Sequence, residues 1–180
     1  AFFGMHVDDG HLGILVGTLF HHGVEGNLVQ LDHLLAMLAV GLWAAQQTGK
    51  ARWALPMTFV ATMLLGGVAG FAGIEMPLME TGIAVSVLAL GLLVALAVRP
   101  PLVGAAALTA LFAASHGVAH GLELPELASP WGYAAGFVTA TAALHAIGYA
   151  LVRYLPQAAA PLVRIAGAAS ALTGAWLLAS

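Results

Sequence analysis

The sequence contains no cysteine and very little charge. Without cysteine there is no disulfide, no thiolate metal site and no thiol nucleophile. Charged residues make up 7% of the 180 positions, with five lysines and arginines against eight aspartates and glutamates. Soluble domains carry about 25%, so this chain cannot clothe a water-facing surface. With so few basic residues and no basic run, nucleic acid is not an expected partner. No Gly-x-x-x-x-Gly-Lys-Ser/Thr loop is present, so the chain is not expected to hydrolyse ATP. Ser115 beside His116 is no catalytic pair, because neighbours in a helix do not face each other. No enzymatic role and no organic cofactor are therefore expected.

What is there is apolar. Hydrophobic residues reach 61% and the mean hydropathy is +0.97. A spanning helix needs about 20 residues, and six apolar runs meet that scale: Leu28–Gln46, Ala51–Ala72, Pro77–Val98, Leu102–Gly121, Trp131–Tyr154 and Pro161–Ala179. Polar residues, glycine or proline separate them. The expected fold is all-α: one polytopic membrane helix bundle of about six transmembrane helices over residues 28–180. Residues 1–27 form an outward-facing segment rich in His and Asp, interfacial or re-entrant, because the run Leu12–Phe20 is too short to span. The chain opens at Ala1 without a basic, then apolar, leader, which is read as a removed signal peptide or an incomplete N-terminus. Dense Gly and Ala, as in Gly66-Gly67-Val68-Ala69-Gly70, suit close helix packing in lipid. Trp43, Trp53, Trp131 and Trp176 lie near run ends, where interfacial anchors belong.

The basic residues predict orientation. Lys50 and Arg52 fall in the first connection, Arg99 in the third, and Arg153 and Arg164 around the fifth. Glu75, Glu80, Glu123 and Glu126 occupy the other side. By the positive-inside rule the odd connections are cytoplasmic. Both termini then face the periplasm of a bacterial-type inner membrane.

Ionisable side chains inside spans are costly and point to function. Asp32 and His33 lie near the start of the first span, and Met37 shares the helix face of His33. His116 and His120 are four apart, so both rings leave one face of the fourth helix, with Glu123 one turn on. Neutral imidazoles with a carboxylate suit nickel, cobalt, copper or zinc. Gly117 and Gly121 would let another helix approach. If the first and fourth helices are neighbours, Asp32, His33, His116, His120 and Glu123 surround one outward cavity. His145, in the fifth span, is either an inner relay ligand or hydrogen-bonded to Thr139, Thr141 or a neighbour. His6, His11, His21 and His22 are candidates for an external metal-gathering site.

The stretch Asp32-His33-Leu34-Leu35-Ala36-Met37-Leu38-Ala39-Val40-Gly41-Leu42-Trp43-Ala44-Ala45 resembles the first-helix signature of the HupE/UreJ family. The stretch His116-Gly117-Val118-Ala119-His120-Gly121-Leu122-Glu123 resembles its second signature. That family comprises hydrogenase and urease accessory membrane proteins regarded as nickel or cobalt permeases. The resemblance implies Ni2+ or Co2+ as the bound and transported ion, taken inward without ATP. Two departures stand out. The family places a histidine six residues before the Asp, where this chain has Gly26, with His21 and His22 about one helical turn upstream. Ser115 stands where the family usually has Phe. Two other readings remain open: a haem-binding electron-transfer subunit, and an accessory subunit of a larger membrane complex. Lipid and a divalent metal ion are the expected partners, with self-association or a larger complex as further options.

Overall fold

A computed structural model describes residues 31–123 and 129–180, and among these every regular element is a helix. The elements are α1 (Leu31–Gln46), α2 (Ala51–Phe71), α3 (Met79–Ala95), α4 (Leu102–Leu122), α5 (Pro130–Tyr154) and α6 (Ala160–Leu177). A single 3-10 turn, Gln157–Ala159, leads into α6. Each coincides with one of the six apolar runs. Four of them, α2, α4, α5 and α6 with its leading turn, are long and apolar enough to cross a membrane. α3, of 17 residues, and the described part of α1 are shorter. The N-terminal segment, with His6, His11, His21, His22 and Gly26, lies outside the described residues.

Residues 32–180 form one compact unit built from close helix pairs. In α2 and α4 the backbones touch: a Cβ on Gly117 would run into the Met63 carbonyl, and one on Gly121 into that of Gly67. Contacts advance together along both helices, so the pair is parallel. This is the close approach expected of Gly117 and Gly121, made to α2. In hydrocarbon there is no water to squeeze out, so such backbone proximity supplies the van der Waals attraction that holds helices together. α3 and α6 meet antiparallel through Gly91, Gly167 and Gly174, and α1 meets α5 where Gly41 lies against the backbone of His145.

One end of the bundle is tied by side chains. The last carbonyls of a helix have no intrahelical partners. Here the indole of Trp43 donates to the Val98 carbonyl at 2.8 Å, Gln46 to Val94 at 3.0 Å, Gln47 to Val98 at 3.1 Å and Arg164 to Ala95 at 2.7 Å. Trp43 is wholly buried, which corrects its reading as an interfacial anchor: its N–H serves a helix end, not a lipid headgroup. Trp53, Trp131 and Trp176 are exposed, as anchors should be. At the other end, α5 begins on Ser129, whose hydroxyl accepts from the Gly132 N–H at 3.4 Å, with Pro130 in the first helical position.

Candidate metal centre

The first turn of α1 and the last turns of α4 bring three imidazoles together. The ring centroid of His33 lies 4.5 Å from that of His116 and 4.7 Å from that of His120, both edge-to-face. The two motifs are thus joined in space. Asp32 and His33 are buried, and His116 is fully so. Burial without charge compensation is costly, and the hydrogen bonds show how each ring is held.

His33 Nδ1 lies 2.8 Å from Asp32 Oδ1, which also accepts from the His33 backbone N–H at 2.6 Å. A carboxylate only accepts, so the imidazole proton sits on Nδ1 and the lone pair on Nε2. Asp32 thereby orients His33, the arrangement by which carboxylates prepare metal-ligating histidines.

His116 is held by a residue that neither motif contains. Its Nε2 lies 2.8 Å from the hydroxyl of Ser86 on α3, and that hydroxyl donates to the Ile83 carbonyl at 2.6 Å. One hydroxyl has one proton. Spent on Ile83, it leaves Ser86 to accept from His116 Nε2–H, which puts the lone pair of His116 on Nδ1. Nδ1 is buried and has no hydrogen-bond partner. Neither ring nitrogen of His120 has one either, and its ring stacks on Phe137 at 5.1 Å. Buried polar atoms are nearly always hydrogen-bonded, so unpaired imidazole nitrogens crowded at one spot fit a ligand-binding role.

Glu123 stands just beyond α4 at the same end. Partial loss of hydration raises its carboxyl pKa above the usual 4.5; His33 opposes the rise, while Glu80 and Asp32 add to it. Glu80, in the first turn of α3, therefore shares this acidic end. An apolar cavity of about 270 Å3 beside it is lined by Leu64, Gly67, Phe71, His120, Tyr133 and Phe137. Of the five principal candidates it touches His120, so the rings pack on one another rather than surrounding that space. Among the described residues no three His, Asp or Glu side chains stand in a ready coordination arrangement.

Deeper in the bundle, Phe59 of α2 packs against both His116, at 5.8 Å, and His145, at 5.1 Å. His145 is buried, and neither of its ring nitrogens is hydrogen-bonded. Thr139 and Thr141 are therefore not its partners: Thr139 bonds the Ala135 carbonyl, and Thr141 approaches the sulfurs of Met37 at 3.2 Å and Met63 at 3.6 Å. Met37, which the spacing places on the helix face of His33, lies with its sulfur in this inner group. Ser115 lies against Gly82 of α3, with its hydroxyl 3.5 Å from the Met76 sulfur. A phenyl ring there would require α3 to move away.

Buried histidines inside a bundle of membrane-length apolar helices define a polytopic membrane protein with a polar intramembrane site. The family model described as HupE / UreJ protein matches residues 6–177, and the chain belongs to that family. It is 45% identical over 179 residues, covering 99% of this chain and 88% of the relative, to Protein HupE of Rhizobium leguminosarum bv. viciae. No solved structure matches.

Proposed function

We propose that the protein is an inward permease for Ni2+ or Co2+ in a bacterial inner membrane, with both termini periplasmic. The cluster of His33, His116 and His120 carries this reading, because buried imidazole nitrogens on His116 and His120 lack hydrogen-bond partners. The acidic end, with Glu123 and Glu80, collects the cation. His6, His11, His21 and His22 assist from the N-terminal segment, and His21 or His22 takes the part vacated at Gly26. Asp32 lends charge and orients His33. The ion draws the three rings from mutual packing into coordination and sheds part of its water. Because the donors must reorient, binding is weak enough for the ion to leave, which flux requires.

From there the ion passes Phe59 to an inner group of His145, Met37, Met63 and Thr141, whose donors are all neutral. Imidazole and thioether accept a borderline transition cation better than Mg2+ or Ca2+, so this stage favours the intended cargo. The membrane potential supplies about 4.6 kcal/mol per 100 mV for a divalent ion moving inward. The haem reading pairs His145 with His116 or His120; Phe59 packs against both His116, at 5.8 Å, and His145, at 5.1 Å, which disfavours a porphyrin between those two.

The test is uptake of radioactive nickel into proteoliposomes by the native protein, His116→Ala and Asp32→Ala. Uptake by the native protein with more than tenfold loss in both variants is expected. Equal uptake by all three would remove these residues from the mechanism.

A further inference from the structure

The opposite end of the bundle holds a second site of inverse chemistry. A cavity of about 570 Å3 lies where the C-terminal ends of α1, α3 and α5 meet the start of α6. Arg99, Arg153 and Arg164 all line it, from the α3–α4 connection, α5 and α6. Gln46 and Gln157 add polar groups, and no carboxylate belongs to the lining. Every acidic residue of the described chain lies elsewhere: Asp32, Glu75, Glu80 and Glu123 all sit towards the other end. Three of the five basic residues of the protein thus converge on one space with no counter-charge among the described residues of its lining.

The positive-inside rule explains why basic residues gather at this end. It does not explain why three converge on one cavity, since guanidiniums repel and long side chains are free to spread. The α6 N-terminus adds to the positive field. The helix dipole places partial positive charge there, while the Ala160 N–H is already bonded to the Gln157 carbonyl and Pro161 carries no N–H. Arg164 is fixed by donating its Nε–H to the Ala95 carbonyl, which leaves its terminal nitrogens available to a ligand.

We infer that this cavity binds the phosphodiester headgroup of an anionic phospholipid of the surrounding leaflet. The position suits a lipid: the site lies at the ends of membrane-length helices, where headgroups lie, and basic pockets between helices on the cytoplasmic side bind such headgroups. Arg153, Leu155 and Gln157 of its lining are exposed, so a headgroup can enter while its acyl chains stay in the bilayer. Planar guanidiniums grip phosphate oxygens in pairs. The bound lipid would neutralise the site and hold α6 against the ends of α3 and α5. This inference does not depend on metal transport.

The test uses full-length protein in detergent, stripped of lipid and titrated with short-chain phosphatidylglycerol, phosphatidylcholine or inorganic phosphate. Binding is followed by native mass spectrometry and by thermal stability. Phosphatidylglycerol should bind at least tenfold more tightly than phosphatidylcholine and raise the melting temperature, while inorganic phosphate at the same concentration does neither. Arg153→Gln with Arg164→Gln should weaken that binding at least tenfold. Lys50→Gln with Arg52→Gln removes as much charge from the same end but outside the cavity, and should leave binding within twofold. Equal weakening by both pairs would mean a diffuse charge effect and would overturn the site. So would indifference to headgroup charge, and stabilisation by inorganic phosphate alone would overturn the lipid as its occupant.

Discussion

The imidazole of His116 reaches across to α3 and bonds the hydroxyl of Ser86 at 2.8 Å, while the same hydroxyl is committed to the Ile83 carbonyl. That single bond decides which nitrogen of His116 is presented to the other two rings. Ser86→Ala removes the director without touching a proposed ligand. Partners that orient metal-ligating histidines typically change affinity by about 10–100-fold. Ser86→Ala is expected to weaken cobalt binding, read by equilibrium dialysis, by about tenfold, with the helical circular dichroism retained. Unchanged affinity would show that the tautomer of His116 does not matter.

His33, His116 and His120 act as one group if they share an ion. Alanine at His33 and alanine at His116 should then each remove most of the binding, and the double variant should lose little more than either single one. Such non-additivity is the mark of residues in contact. Independent, multiplying losses in a double-mutant cycle would mean separate sites.

The inner group separates binding from passage. His145→Gln, and Met37→Leu with Met63→Leu, leave the outer rings in place. Each is expected to lower the nickel uptake rate at least tenfold while cobalt binding to the outer cluster persists. If uptake stays at the native rate, the route does not pass His145.

Glu123 gives a pH prediction with a definite sign. Loss of hydration raises its pKa in the folded chain, so the folded form holds this proton more tightly than the unfolded form does. Without metal, the contribution to stability is present below the ordinary 4.5 and is lost as pH rises through the raised value. Glu123→Gln should flatten that part of the melting-temperature profile. Bound Ni2+ should reverse its slope for the native protein, because the ion favours the ionised carboxylate.

The backbone contact at Gly117 leaves no room for a side chain. Gly117→Val forces α2 and α4 apart, and overpacking of this kind costs about 1–3 kcal/mol. A lowered unfolding midpoint in mixed detergent would register it, and metal binding should fall as well, because His116 and His120 ride on the displaced helix.

Much of this arrangement is legible in the chain. Apolar runs separated by proline, glycine and charge mark six helices, because a bilayer demands long apolar stretches between polar turns. The i,i+4 spacing puts His116 and His120 on one helical face without any tertiary information. Their meeting with His33 depends on which helices pack together, and composition carries no such information. Trp43 misleads because its place near a run end is equally suited to an interfacial anchor and to a helix-end donor, and only the position of Val98 decides between them. Ser86 is a lone hydroxyl in the apolar run from Gly82 to Leu96, a weak signal that gains meaning once His116 faces it. Phe59 and Met63 look like ordinary core residues, and nothing along α2 marks them as neighbours of His145 and Thr141.

Four side chains tie the end of α3 and the start of the α3–α4 connection at one end of this molecule. Swinging α1 or α6 away from α3 there would break the bonds that Trp43, Gln46, Gln47 and Arg164 make to the Val94, Ala95 and Val98 carbonyls. At the histidine end the side-chain ties between helices are ring contacts and the bond from His116 to Ser86, beside the close backbone packing of α2 and α4. The side-chain ties among α1, α3 and α6 are therefore concentrated at the end away from the histidines.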